Sequence, residues 1–76
     1  MKDLLDTIVR PLVDNEEVMQ ITEHRRGNQT ILNLKLASED MGRVIGKGGK
    51  RATAIRNIMK ARAFQERRRV SINIGE

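Results

Sequence analysis

Between Gly42 and Arg51 the chain reads Gly42-Arg43-Val44-Ile45-Gly46-Lys47-Gly48-Gly49-Lys50-Arg51, and three of the four residues from Gly46 to Gly49 are glycine. Glycine loses more conformational freedom on folding than any other residue, so such a cluster is costly as a mere connector. It is useful where a chain turns sharply or where another backbone must come close. A helix is expected to start as this stretch ends, and helix N-termini present free N–H groups and a partial positive charge that favour phosphate. Lys47, Lys50 and Arg51 add full charges at the same place. The pattern fails as a P-loop, because Gly42 and Gly46 are three residues apart and Gly48 follows Lys47. It fails as a dinucleotide fingerprint, because the last glycine is missing and a helix precedes it. What remains is G-x-x-G between two helices, a form that lets a sugar-phosphate backbone lie against the protein backbone.

No other residue set competes with this loop. There is no cysteine, so a disulfide frame and a Cys-based zinc site are excluded. The single histidine, His24, cannot build a metal site alone and reads as a strand surface residue. No paired carboxylates and no nucleophile–base set are evident, so binding rather than catalysis is expected, with no cofactor. The net charge is +5, but it is divided unevenly: residues 1–40 carry −3 and residues 41–76 carry +8. A basic field gathered on half of a small domain is the footprint of a polyanion partner. Phe64 is the only aromatic residue, which argues against nucleic-acid binding built on aromatic stacking and leaves it to backbone donors, basic side chains and aliphatic contact. Arg67-Arg68-Arg69 reads as a solvated edge, the alternative being an extension of the electrostatic path.

Seventy-six residues make one domain, spanning 1–76, with no room for a second core. The acids among the first apolar residues are unlike a signal peptide. The longest apolar runs fall far short of the ~20 residues of a membrane helix. A cytoplasmic protein that does not enter a membrane is expected. Leu4, Leu5, Ile8, Val9, Leu12 and Val13 recur at helical spacing over roughly 2–14, with Pro11 kinking that helix or ending it near Val9. Val18 to Arg25 and Thr30 to Leu36 alternate as strands around the turn residues Arg26-Gly27-Asn28-Gln29, which makes a hairpin. In the second strand Leu32, Leu34 and Leu36 share one face. Ser38 is the expected N-cap of a short helix ending near Ile45. A longer helix runs from about Gly49 to Glu66, with Ala52, Ile55, Ile58, Met59 and Arg62 on one face. Val70 to Ile74 closes the chain as a strand. The order α-β-β-α-α-β predicts an α+β fold, a two-layer sandwich with one sheet covered by helices.

Val44-Ile45-Gly46-Lys47-Gly48-Gly49 resembles the V-I-G-x-x-G core of KH domains, and Gly42 matches a small residue common just before it. The element order resembles the type II, prokaryotic KH fold, in which the extra helix and strand precede the core. The length, the Arg10-Pro11-Leu12-Val13 segment and the late strand look like the small stand-alone bacterial KH proteins, the KhpA/YlqC family. Ala52 departs from the pattern, since KH domains usually place a large aliphatic residue there; Ile55 is expected to carry that packing.

The resemblance implies that single-stranded RNA is clamped by Gly46, Lys47, Gly48 and Gly49, with Lys50 and Arg51 on phosphates. The groove would be floored by Gly42, Val44 and Ile45, by Arg51, Ala54 and Ile55, and by an edge of the second strand at Asn33 and Lys35, with Arg43 a further RNA-binding residue. It would hold about four nucleotides. Ile45 and Ile55 are read as core residues. The resemblance further implies a homodimer, or a heterodimer with a larger KH-containing protein, and a post-transcriptional regulator or RNA chaperone linked to cell shape. The alternative is a KH-fold protein–protein interaction module without RNA binding. A lost glycine or an acid in the loop would favour that alternative, and this loop has neither.

Overall fold

Proline decides where the first helix stops. In the computed structural model, which describes all 76 residues, helix α1 covers Lys2–Val9 and is followed by a single 3-10 turn at Arg10–Leu12, with Pro11 in its first positions. Pro11 has no N–H, so it fits where a turn begins and cannot continue the α-helical ladder. Val13 then donates back to the Arg10 carbonyl at 3.3 Å and the chain turns into extended backbone. Strands β1 (Gln20–Arg26) and β2 (Gln29–Lys35) form an antiparallel hairpin around Gly27 and Asn28. Gly27 has φ +61°, a value that glycine adopts without steric cost. Helix α2 (Ser38–Ile45), a 3-10 turn (Lys47–Gly49) and helix α3 (Lys50–Gln65) lead to strand β3 (Arg69–Gly75).

The sheet order is β1-β2-β3, and β3 lies parallel to β2. Parallel neighbours cannot be joined by a hairpin, so α2, the glycine loop and α3 form the crossover. One face of the sheet carries Ile21, Leu34 and Ile74 in one cross-strand row and Leu32 and Ile72 in another. These pack with Leu5 and Val9 of α1, Val44 of α2, and Ile55, Met59 and Ala63 of α3 in one hydrophobic core. Each fully buried aliphatic side chain of this kind contributes about 1.5–3 kcal/mol. The opposite face carries Thr22, Asn33 and Asn73 in one row and is open to solvent, with Asn73 donating to Asn33 at 2.9 Å. His24 is exposed on this face, as a strand surface residue should be. No helix is long and apolar enough to cross a membrane.

Two details differ from the expectation drawn from sequence. Ser38 does not cap α2: Ala37 holds the N-cap position, and no side chain caps that end. On α3 the buried stripe is Ala52, Ile55, Met59 and Ala63, while Ile58 is 49% exposed and Arg62 is exposed. Met59 and Ala63 take the inward positions because they lie seven and eleven residues beyond Ala52, which returns them to its face at 3.6 residues per turn.

Candidate nucleic-acid interface

The loop between α2 and α3 is shaped by left-handed glycines. Gly46, Gly48 and Gly49 have φ of +77°, +64° and +76°, a region that disfavours residues with a Cβ. At Gly46 the demand is also steric: a Cβ there would lie 2.7 Å from the Arg51 Cβ and 3.0 Å from its backbone nitrogen. Around Gly48 and Gly49 there is open space, so a ligand can approach the backbone. Gly46 N donates to the Gly42 carbonyl at 2.9 Å and Gly49 N to the Gly46 carbonyl at 3.1 Å. The Arg51 guanidinium donates through Nη1 to the Arg43 carbonyl in the last turn of α2. That bond laces the two helices together across the loop and satisfies a helix-end carbonyl that would otherwise lack a partner.

The candidate side chains divide into groups. Lys47 and Lys50 are exposed and take part in no ion pair. No side chain caps α3, whose N-cap is Gly49, so the positive end of that helix is left toward the same surface. Arg51 is exposed but engaged with Arg43. Arg43 itself pairs with Asp14 at 3.0 Å, both side chains being more than half exposed; such a pair contributes about 0–1 kcal/mol and exchanges partners readily. Gly42 is exposed with nothing near the position of a Cβ, so it leaves bare backbone on the outer face of α2. Ala54 is exposed, Ile45 half-buried and Ile55 buried.

Three residues expected in the groove are elsewhere. Val44 is fully buried; it fills the core under the loop and has no surface to offer a ligand. Lys35 and Asn33 belong to β2, the central strand, which is hydrogen-bonded on both edges. Their side chains project from the open face of the sheet, away from the helices. The strand whose free edge runs beside α3 is β3, where Arg56 donates to the Ile72 carbonyl at 3.3 Å through both Nε and Nη2.

Sequence reasoning missed Asp40. It is buried, and its carboxylate accepts from the Asp14 and Asn15 backbone N–H groups at 3.1 and 3.0 Å and from Asn15 Nδ2 at 3.3 Å. These donors, the Asp14 N–H first, hold its pKa below the usual carboxylate value against the opposing effect of burial, with Arg43 adding a smaller pull. Asp40 thus fastens the start of α2, and with it the loop, to the segment after α1. A buried acid one turn into a helix looks in sequence like an acid placed for the helix dipole; nothing at residue 40 marks the tertiary partners.

Three helices covering one face of a mixed three-stranded sheet, with a glycine-rich turn between the two crossover helices, define a type II KH domain. Residues 2–74 match the KhpA/KhpB KH domain family. The chain is 49% identical over 74 residues to a protein of Clostridium acetobutylicum named RNA-binding protein KhpA, covering 97% of this chain and 99% of that one. Proteins of the same name from Caldanaerobacter subterraneus and Listeria monocytogenes are 45% and 38% identical, the first over 97% of this chain and 99% of its own length, the second over the full length of both. The chain belongs to the KhpA/KhpB KH domain family. No solved structure matches it.

Proposed function

We propose that this chain binds single-stranded RNA by clamping its backbone against Gly46–Gly49, as a post-transcriptional regulator or RNA chaperone and not as an enzyme. The observation that carries the reading is the loop itself: two left-handed glycines with open space around them, at the uncapped start of a 16-residue helix, flanked by unpaired Lys47 and Lys50. The name shared by its relatives, RNA-binding protein, supports the same reading. Phosphates would meet backbone N–H groups and the two lysines, with about four nucleotides in the groove. The test is the Lys47→Asp, Gly48→Asp double variant. Aspartate tolerates left-handed backbone better than most residues, so the circular-dichroism spectrum should be unchanged, while two carboxylates beside phosphates should lower affinity for a short RNA by at least about a hundredfold, the equivalent of two charge-assisted hydrogen bonds. An unchanged affinity with an unchanged spectrum would favour the alternative, a KH-fold module that binds only protein.

The exposure of Ile58 favours a companion reading, that two KH chains pair through the outer face of α3, as a homodimer or with a larger KH-containing protein. Ile55 and Met59 are committed to the chain's own core, so of the three apolar residues expected to share a face of that helix Ile58 is the one left to contribute. Pairing would raise RNA affinity by avidity. Sedimentation of the wild type and of Ile58→Asp at micromolar concentrations tests it: a clean monomer for the wild type removes the pairing.

A further inference from the structure

The far end of α3 carries a feature that the clamp does not use. Phe64, the only aromatic residue of the chain, is 82% exposed. A lone exposed ring is ordinary on a protein surface, and what sets this one apart is the charge beside it. The charge around it is entirely cationic. A shallow depression against the free edge of β3 is lined by Arg56, Lys60, Val70, Ser71 and Ile72. It shares Lys60, Val70 and Ser71 with a second depression that reaches Phe64, and that one shares Phe64, Arg68 and Arg69 with a third that also touches Arg67. Together they form one trough from Arg56 to Arg67. No carboxylate lines any part of it. None of Arg56, Lys60, Arg67, Arg68 and Arg69 takes part in an ion pair, whereas Arg62, on a different face of α3, is paired with Glu66 at 2.9 Å.

Two further observations bear on this charge. Arg68 donates through Nε to the buried Thr30 hydroxyl at 3.1 Å, but its Nη2 is buried with no acceptor. A buried guanidinium nitrogen without a partner weakens a fold, and an anion in the trough would offset the uncompensated charge. Arg67 has φ +56° at the position just past the helix where glycine is the usual occupant. The two turn bonds of that helix end are made nonetheless, Arg68 N to the Ala63 carbonyl at 2.8 Å and Arg67 N to the Phe64 carbonyl at 3.0 Å. An arginine stands where glycine would relieve strain.

From this we infer that the trough is a second contact for the same single-stranded RNA, with one unpaired base stacked on Phe64 and phosphates on Lys60, Arg67 and Arg69. The inference rests on the RNA-clamp reading and extends it along the helix. Lys50 and Phe64 stand about 21 Å apart along the axis at 1.5 Å per residue, so a strand must run the whole length of the helix from the clamp to meet the ring, which favours strands longer than the roughly four nucleotides of the groove. Base–ring stacking is tolerant of sequence, since every base has a π-face, and it suits a protein with a single ring. The site selects for strand length, not for sequence.

The experiment uses the full chain and two unlabelled single-stranded RNAs of mixed sequence, of about four and about ten nucleotides. The chain has no tryptophan, so Phe64→Trp installs a lone emitter on the trough. The longer strand should quench it strongly and the shorter one leave it unchanged, although both bind. Phe64→Ala, on an exposed site, should weaken the longer strand about tenfold, in the range measured for one base–aromatic stack, and leave the shorter one alone. Lys60→Ala with Arg69→Ala should reduce the slope of log affinity against log salt by about 1.4 for the longer strand only, at roughly 0.7 for each phosphate no longer neutralised. If the short strand binds at the clamp but the long one neither binds more tightly nor moves the tryptophan signal, the inference is overturned and the clamp stands. If neither strand binds, both readings fall. Emission that follows protein concentration and ignores RNA would mark the ring as a protein contact and also overturn it.

Discussion

The two ends of helix α3 are finished in opposite ways. Both lie next to residues with left-handed backbone, at Gly46, Gly48 and Gly49 before the helix and at Arg67 after it. At the first end all three positions are glycine, and the side chains that remain nearby, Lys47 and Lys50, are unpaired. At the second end the left-handed residue keeps a long cationic side chain, next to an exposed ring. Removing side chains lets a polymer backbone come close; keeping them under strain offers charge and stacking area. The buried charges that support the two ends differ too. Asp40, which fastens the helix leading into the loop, has three N–H donors, while Arg68, behind the trough, has one acceptor and a nitrogen left over. The first end is pre-organised by its own protein partners, and the second leaves one guanidinium nitrogen without a protein acceptor.

The largest effect expected from this contrast is at Gly46. Gly46→Ala puts a side chain into left-handed backbone and into the Arg51 Cβ and backbone nitrogen. Strained backbone of this kind costs about 1–3 kcal/mol, a large fraction of the roughly 4–11 kcal/mol total for a chain of this size. Urea unfolding should show that loss, and a short RNA should bind far more weakly because the lacing of Arg51 to the Arg43 carbonyl is displaced. A variant as stable as the wild type would show that the loop is less constrained than its contacts imply.

A smaller effect is expected at Asp40, through pH. Its carboxylate titrates below the usual value in the folded protein, so the unfolded chain takes up a proton first as pH falls. Stability is therefore favoured above the unfolded carboxylate value near pH 4 and is lost as pH drops through the lower folded value. Asp40→Asn offers one acceptor to several donors, so its melting temperature should be lower than wild type at neutral pH. Between about pH 4 and pH 2 the variant should lose less than the wild type. Parallel melting curves across that range would tell against the anchor if the gap between the two proteins stayed constant.

How far these features are legible in sequence depends on whether their cause is local. The order α-β-β-α-α-β, the break at Pro11 and the left-handed loop follow from propensities and punctuation that act within a few residues. Misplacing Lys35 and Asn33 has a non-local cause: only the parallel pairing of β3 beside β2 makes β2 central, and no feature of 29–35 announces its neighbours. Val44 sits one residue from the half-buried Ile45 on an eight-residue helix, too short for periodicity to decide which of two adjacent aliphatics points inward. On α3, Ile58 drew the expected face toward itself because it is the larger apolar residue, yet Ala63 is the one buried. Asp40, Arg68 and the left-handed Arg67 were invisible for a single reason: their roles come from tertiary partners or from a backbone angle, and neither is encoded in residue type alone.

The smallest expected effect is also the one that most directly separates the two ends. Arg67→Gly removes the left-handed strain of a non-glycine residue, about 1–2 kcal/mol, and returns part of it through the greater freedom of glycine in the unfolded chain. The net gain should lie below about 1 kcal/mol, or a rise of a few degrees in melting temperature. The same change removes one cation from the trough and none from the loop. A short RNA should bind as before, while a longer strand should lose affinity a few-fold at low salt, the difference shrinking as salt rises because fewer counterions are released per strand. A fold that becomes more stable while long-strand binding weakens would mean that Arg67 holds its strained place for its side chain. If Arg67→Gly leaves long-strand binding untouched, the strain at this end serves only the turn into β3, and the contrast between the two ends of α3 reduces to the glycines of the loop.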